Sequence, residues 1–318
     1  MSALPADPLL PIPITQYREG NTGIPYAHVL DSGKAGPQTA ITALVHGNEV
    51  CGAHALDLLF REKFKPARGR LTLIFCNVAA YTRFDPDDPT ASRFVDEDMN
   101  RVWGPNALDS TRRSIELDRA REIEPLLAEV DLLLDLHSMQ QPSPPLMLAG
   151  PLAKGREFAA KVGVPATVVA DQGHKAGLRM RDYGGFGDPA SPKNALLVEC
   201  GQHWEQASRT VAIETMFRFL LATGQATADD LARHGLTPAP AAAQKFVEVT
   251  DAITIATAQF SFAQSYTGLE SIPQAGTVIA HDGSTAIRTP YDNCVLIMPT
   301  KRLKPGQTAV RLGRYIAA

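Results

Sequence analysis

Several runs of apolar residues, three of them closed by an ionisable side chain, limit what this chain can fold into. TAITALVH at 39–46, GRLTLIFCNV at 69–78, DLLLDLH at 131–137 and NALLVECG at 194–201 are the longest. Each has the length of a strand and falls short of the roughly 18 apolar residues that cross a bilayer. They are continuously apolar rather than alternating, so both faces of the sheet they form should be covered. Helical spacing fills the intervals, over 50–64, over the charged stretch 111–130, in GREFAAKVG and over 204–224. PPLMLAG and PATVVAD add short strands. Strands alternating with helices indicate an α/β fold whose mixed, mostly parallel sheet is flanked by helices.

The pattern changes at LARHGLTPAPAAAQ, residues 231–244, which reads as a linker. Residues 1–236 then form one domain. Residues 245–318, rich in β-branched side chains and broken by Gly, Pro, Asp and Asn, form a smaller all-β domain. Residues 79–112 lack periodicity and carry many Asp, Pro and Arg, and so long a loop inside a compact region is usually functional or mobile.

With 20% charged residues and a net charge of −3, nothing favours nucleic acid or an anionic membrane as a partner. Prolines near the N-terminus, with no basic leader before an apolar stretch, suggest a cytoplasmic chain. The four cysteines form no CxxC pair and read as buried thiols in a reducing compartment.

In open α/β sheets ligands gather at the carboxyl ends of strands. His46, His137 and Glu199 all end apolar runs there. His46 and Glu49 sit three apart around Gly47, which permits a tight turn, so both could face one point above the sheet. Alone, HxxE is weak, and a polar turn is its ordinary reading. A catalytic zinc takes three protein ligands, commonly histidine nitrogen and carboxylate oxygen, and keeps one position open. His137 is the natural third ligand, with His54, His174 and His203 as competitors. His54 falls within a helix and His174 in a loop that no strand delivers. His203 follows Glu199 by four residues and belongs behind the ligands or at the pocket rim. Asp135, two residues before His137, could orient it. Glu199 follows four apolar residues, where an unpaired carboxylate is costly unless it is used. Such a glutamate can relay a proton from water to a leaving amine. Arg93, Asn100 and Arg101 lie in the aperiodic loop and could meet an oxyanion or a carboxylate, although surface charges are common in loops.

Together HGNE at 46–49, DMNR at 98–101, DLHS at 135–138 and ECGQH at 199–203 resemble the succinylglutamate desuccinylase/aspartoacylase family, a branch of the zinc carboxypeptidase-like fold. The resemblance implies one zinc per subunit held by His46, Glu49 and His137, with Glu199 as general base and acid. It implies that Arg93 polarises the scissile carbonyl, and that Asn100 and Arg101 bind the α-carboxylate of a small N-acyl amino acid. It also implies a C-terminal domain packed over the pocket, with Tyr291 reaching the substrate from there. Aspartoacylases use a further arginine shortly before the catalytic glutamate. Arg179 and Arg181 stand here at a longer spacing, and Arg181 is the candidate, which puts an acidic substrate side chain in doubt. The activity implied is hydrolysis of the acyl amide. A zinc carboxypeptidase of short peptides is the alternative, and a catalytically silent zinc-containing binding protein is another. Manganese or cobalt could fill the same site. The C-terminal segment lacks the hairpin lysine of a biotinyl or lipoyl carrier, so it shapes the pocket or a homo-oligomer contact.

Overall fold

The computed structural model describes residues 4–173, 176–239 and 243–317. His174 and part of the Ala/Pro segment lie outside them. In chain order the strands are β1 (Ala27–Asp31), β2 (Gln38–Ala43), β3 (Arg70–Phe75), β4 (Leu132–Met139), β5 (Leu146–Leu148), β6 (Thr167–Ala170) and β7 (Asn194–Gln202). They continue as β8 (Lys245–Thr254), β9 (Phe260–Phe262), β10 (Glu270–Ile272), β11 (Val278–Asp282), β12 (Thr285–Arg288), β13 (Cys294–Ile297) and β14 (Thr308–Ile316). The α-helices are α1 (Cys51–Arg61), α2 (Val78–Tyr81), α3 (Pro105–Leu108), α4 (Ile115–Ala128), α5 (Ala153–Val162), α6 (Gln206–Ala222) and α7 (Ala228–Arg233).

An 11-stranded sheet runs in the order β1-β3-β2-β4-β7-β5-β6-β8-β14-β13-β10, and β12-β11-β9 form a small antiparallel sheet. The pairs β2–β3, β2–β4, β4–β7, β5–β6 and β6–β8 are parallel. Both edges and the β5–β7 pair are antiparallel. Hydrogen bonding passes from β6 to β8, so the sheet is continuous from one side of the Ala/Pro segment to the other. Beyond that segment the regular elements among the described residues are all strands.

Side-chain alternation sorts the sheet into two faces. Ile41, Leu134, Leu136, Leu196, Val198, Met147 and Val168 face α1, α5 and α6 and build the main core with Leu56, Leu59, Phe158 and Phe217. On the other face Ala40, Leu133 and Ala195 meet Leu117, Ala120, Ile123 and Leu127 of α4. Farther along that second face, Leu197, Leu148, Val169 and Val247 follow one another across β7, β5, β6 and β8. The same apolar cluster continues past Gly313 of β14 to Val295 and Ile297 of β13. Asp135, His137 and Glu199 share the same second face, because His137 pairs with Glu199 and Asp135 with Leu197.

Local chemistry explains the boundaries. The first run stops as a strand at Ala43, because Leu44 turns into the left-handed region at φ 64°. His46 is therefore delivered by a turn rather than by the strand itself. Helix α4 starts at Ile115, four residues later than its charged pattern suggests, because the Ser114 side chain accepts the Leu117 amide and caps it. The Gly/Pro-rich stretch before β7 is gathered by Lys154, whose Nζ donates to the carbonyls of Gly185, Asp188, Ser191 and Lys193 at 2.6–3.1 Å.

Gly52 lets α1 lie against the sheet. A Cβ there would stand 2.8 Å from the Ala43 Cβ and 3.0 Å from the Leu136 Cβ. Replacing it with alanine should lower stability by about 1–3 kcal/mol through overpacking. The check is a reduced urea midpoint with an unchanged slope.

Candidate metal and catalytic site

Glu49 is the hub of the site. Its Oε1 lies 2.8 Å from His46 Nδ1 and its Oε2 2.8 Å from His137 Nδ1. The Ser138 amide donates to the same Oε2 at 3.1 Å. The far nitrogen of each imidazole is also held, His46 Nε2 by Asp98 Oδ1 and His137 Nε2 by Asp135 Oδ2, both at 2.8 Å. Thr42 Oγ1 donates to the other oxygen of Asp135 at 2.7 Å. His46, Glu49 and His137 are buried, and one ligand atom from each lies within 4.8 Å of the others.

This donor set suits a divalent metal. Two imidazoles and a carboxylate converge, and each imidazole is oriented through its second nitrogen by an acid, as in metal sites with carboxylate–histidine pairs. Burial by itself would push the Glu49 carboxyl up, but the two imidazoles beside it hold it well below the ordinary range. Burial would lower His137, yet Asp135 and Glu49 hold it well above the ordinary histidine range. The pocket thus concentrates negative charge where a cation would sit.

Arg93 closes the side of the group. Its Nη1 donates to Glu49 Oε1 at 3.2 Å, and its Nη2 lies 3.1 Å from Asp98 Oδ2 and 2.9 Å from His46 Nε2. The loop that carries it is anchored twice. The Gly47 amide donates to the Arg93 carbonyl at 3.0 Å. The buried Glu116 carboxylate accepts the amides of Val95, Asp96 and Glu97 and the side chain of Asn77. Gly47 is needed for space, not for turn geometry. Its φ lies outside the left-handed region, but a Cβ would fall 2.4 Å from Tyr81 N and 2.5 Å from Ser92 O.

Glu199 stands beside His137 in the parallel register of β7 and β4. Its Oε2 is buried and has no hydrogen-bond partner among the described residues. Burial and the nearby Glu49 push its carboxyl up to about 8, although His137 and Arg93 pull the other way. An unpaired buried carboxylate oxygen next to such a group calls for a partner from outside the chain.

The other candidates separate. Arg101 lies near the group, with Nη1 on the Asn100 carbonyl at 2.7 Å and Nη2 3.9 Å from Asp98. Asn100 accepts the Met180 amide through Oδ1 at 3.0 Å, so part of its amide fixes the neighbouring loop. Arg181 is not brought to the site. It is buried, and its guanidinium is occupied by Asp182 and by the carbonyls of Ala149 and Ala195. Arg179 is gripped by Asp171 and Asp182. Tyr291 pairs its hydroxyl with Thr250 and lies under Arg314, contacts that belong to the C-terminal strands. Among the other histidines, His54 meets the Leu10 carbonyl at 2.9 Å, away from the group. His203 is buried, with Nδ1 2.8 Å from Ser138 Oγ, and burial drives it down to about 3, so it is neutral.

Sequence reasoning passed over Asp98 and Glu116. Asp98 opens the DMNR motif, and its distance of two residues from Asn100 was an available signal. Glu116 sits in an ordinary helix start, and nothing local marks it.

A family model for the succinylglutamate desuccinylase/aspartoacylase catalytic domain matches residues 35–221, more than half of the chain. The chain belongs to the succinylglutamate desuccinylase/aspartoacylase family. No curated protein matches it. Its fold is similar to that of a succinylglutamate desuccinylase from Chromobacterium violaceum, at 18% identity and a TM-score of 0.65, covering 93% of this chain and 90% of that one. A succinylglutamate desuccinylase/aspartoacylase from Rhodobacter sphaeroides shares 16% identity with a TM-score of 0.63, over 92% and 89% of the two chains. A product-bound ectoine utilization protein from Ruegeria pomeroyi gives 15% identity and 0.65, over 90% and 88%. At these identities the likeness concerns the fold of this family member and leaves its substrate open.

Two outcomes follow from the geometry. Glu49→Gln should lower the bound divalent metal of the purified chain at least tenfold, measured by elemental analysis after gel filtration, because it removes the charge between both histidines. In metal-stripped protein Glu199 binds its proton more tightly folded than unfolded. Wild type should therefore lose stability relative to Glu199→Gln as pH rises from about 4.5 towards about 8. Urea midpoints of the two proteins across that range are the check.

Proposed function

We propose that this chain is a zinc-dependent amidohydrolase that removes the acyl group from a small N-acyl amino acid. The observation that carries the reading is the buried His46–Glu49–His137 donor set with the unpartnered Glu199 oxygen one strand away. His46, Glu49 and His137 would hold the ion, which supplies Lewis acidity to water and to an amide carbonyl when bound.

The chain's own residues supply the rest. Glu199 takes a proton from the attacking water through its free oxygen. Its raised proton affinity then suits it to return that proton to the departing amine nitrogen, so that a carboxylic acid and a free amine leave. Arg93 keeps a positive charge beside the group, held there by Asp98 and Glu49, where it can stabilise the charge that gathers on the amide oxygen. Arg101 offers a guanidinium for the α-carboxylate, and among the described residues its ion pair with Asp98 is no closer than 3.9 Å. A C-terminal domain packed over the pocket, as the family resemblance implies, would favour small substrates over long peptides.

A hydrolysis screen of N-acetyl, N-formyl and N-succinyl amino acids against dipeptides, with metal-stripped and zinc-restored protein, tests the proposal. Zinc-dependent release of free amino acid from N-acyl substrates is expected. Preferential cleavage of dipeptides would replace this reading with a carboxypeptidase. Glu199→Gln should lower kcat by about 100- to 10,000-fold while zinc stays bound. Arg93→Met should lower it on the order of 100- to 1000-fold. Steady-state kinetics with parallel metal analysis measures both.

A further inference from the structure

Residues 4–14 form neither strand nor helix, yet the segment is held at three successive points. The Leu9 amide donates to the Trp204 carbonyl at 2.7 Å. The Leu10 carbonyl accepts from His54 Nε2 at 2.9 Å. Tyr81 Oη accepts the Ile12 amide at 2.7 Å and donates to the Ile12 carbonyl at 2.8 Å. Leu9 and Ile14 are buried, in the cluster that also contains Leu44, Val50, Cys51 and Tyr81. Prolines at 5, 8, 11 and 13 fix φ along the segment, which lowers the entropy lost in ordering it.

Each anchor leads to Glu49. Tyr81 ends α2, which backs the turn after β2. The Asn77 amide at the start of α2 donates to the Leu44 carbonyl at 2.8 Å, and the backbone of Ala80 and Tyr81 leaves no room for a Cβ on Gly47. That turn brings His46 to Glu49 Oε1. His54 lies on α1, which starts two residues after Glu49. Trp204 follows His203, and their rings stand 5.4 Å apart. The His203 amide donates to the Met139 carbonyl at 2.9 Å, and its Nδ1 lies 2.8 Å from Ser138 Oγ. The Ser138 amide in turn donates to Glu49 Oε2. Leu9 to Ile12 therefore join the elements on both sides of the Glu49 carboxylate.

We infer that residues 4–14 act as a strap and that Tyr81 is a positioning residue, together holding the His46 turn and the Ser138 amide at the spacing Glu49 needs to receive a divalent cation. The inference rests on the metal-binding reading of the His46–Glu49–His137 group, and it adds a segment bonded to the supports of those ligands rather than to the ligands themselves. Loss of the Tyr81 hydroxyl would leave both the amide and the carbonyl of half-buried Ile12 without their partner, so the strap would loosen at that end.

The test is the zinc affinity of the full chain, measured by competition with a chelator, together with urea midpoints of its zinc-loaded and metal-stripped forms. Tyr81→Phe keeps the ring and removes the hydroxyl. It should raise the zinc Kd about 5- to 10-fold, the lower end of what partners of metal ligands contribute. The gap between the two midpoints should narrow with it, because stability gained from a bound ion follows its affinity. Leu9→Ala acts from the Trp204 end, should do the same, and serves alone if Tyr81→Phe does not fold. Leu231→Ala is the control. It opens a cavity in the same core from α7, which supplies none of the three anchors, and should lower both midpoints at an unchanged Kd. Equal lowering of both midpoints by Tyr81→Phe at an unchanged Kd, or a control that weakens zinc as much, would overturn the inference. A wild type that binds no divalent metal would overturn it together with the metal site. Zinc binding without hydrolysis of any N-acyl amino acid would end the deacylase reading alone, and the Kd comparison would still decide the strap.

Discussion

Everything at this site depends on one carboxylate lying between two imidazoles. Glu49 ties the turn after β2 to the end of β4, and through Arg93 it also holds the aperiodic loop. The result is a row in which acids and imidazoles alternate, Asp98, His46, Glu49, His137 and Asp135, closed at one end by Thr42. Three acids against two imidazoles and one arginine leave the row hungry for positive charge. Without a metal, His137 meets that demand by keeping its proton beyond the usual range. A divalent cation and a proton therefore compete for the same nitrogen, and metal uptake should release protons.

The second dependence is on the continuity of the sheet across the Ala/Pro segment. Leu197, Leu148, Val169 and Val247 follow one another from β7 to β8, and Gly313 leaves room between Val247 and Ile297, so one apolar cluster runs on to β13. β14 is paired antiparallel to both β8 and β13, which keeps that row in register.

The legible part of the sequence was the part where a polar residue interrupts an apolar run. His46, His137 and Glu199 stand out that way, because burying an ionisable group after a strand demands a reason, and Glu49 stands out by its spacing from His46; the structure brings His46, Glu49 and His137 together. The helical and strand periods gave the α/β alternation for the same cause. What depends on distant partners was not legible. Arg181 and Arg179 look alike in sequence, and only the carbonyls of Ala149 and Ala195 and the carboxylate of Asp171 show that both are occupied. Gly47 was legible as a requirement but not for its cause, since the backbones it must admit belong to Tyr81 and Ser92.

The segment 79–112 has little regular structure, which would suggest a soft wall. Glu116 makes it a hard one. A single buried carboxylate accepts three consecutive backbone amides, so the bend between Arg93 and Asp98 is locked from beneath by a residue on α4 that touches neither. The path of the loop at residues 95–97 is thus held through its backbone by the helix, so the side chains there do not have to supply that anchor.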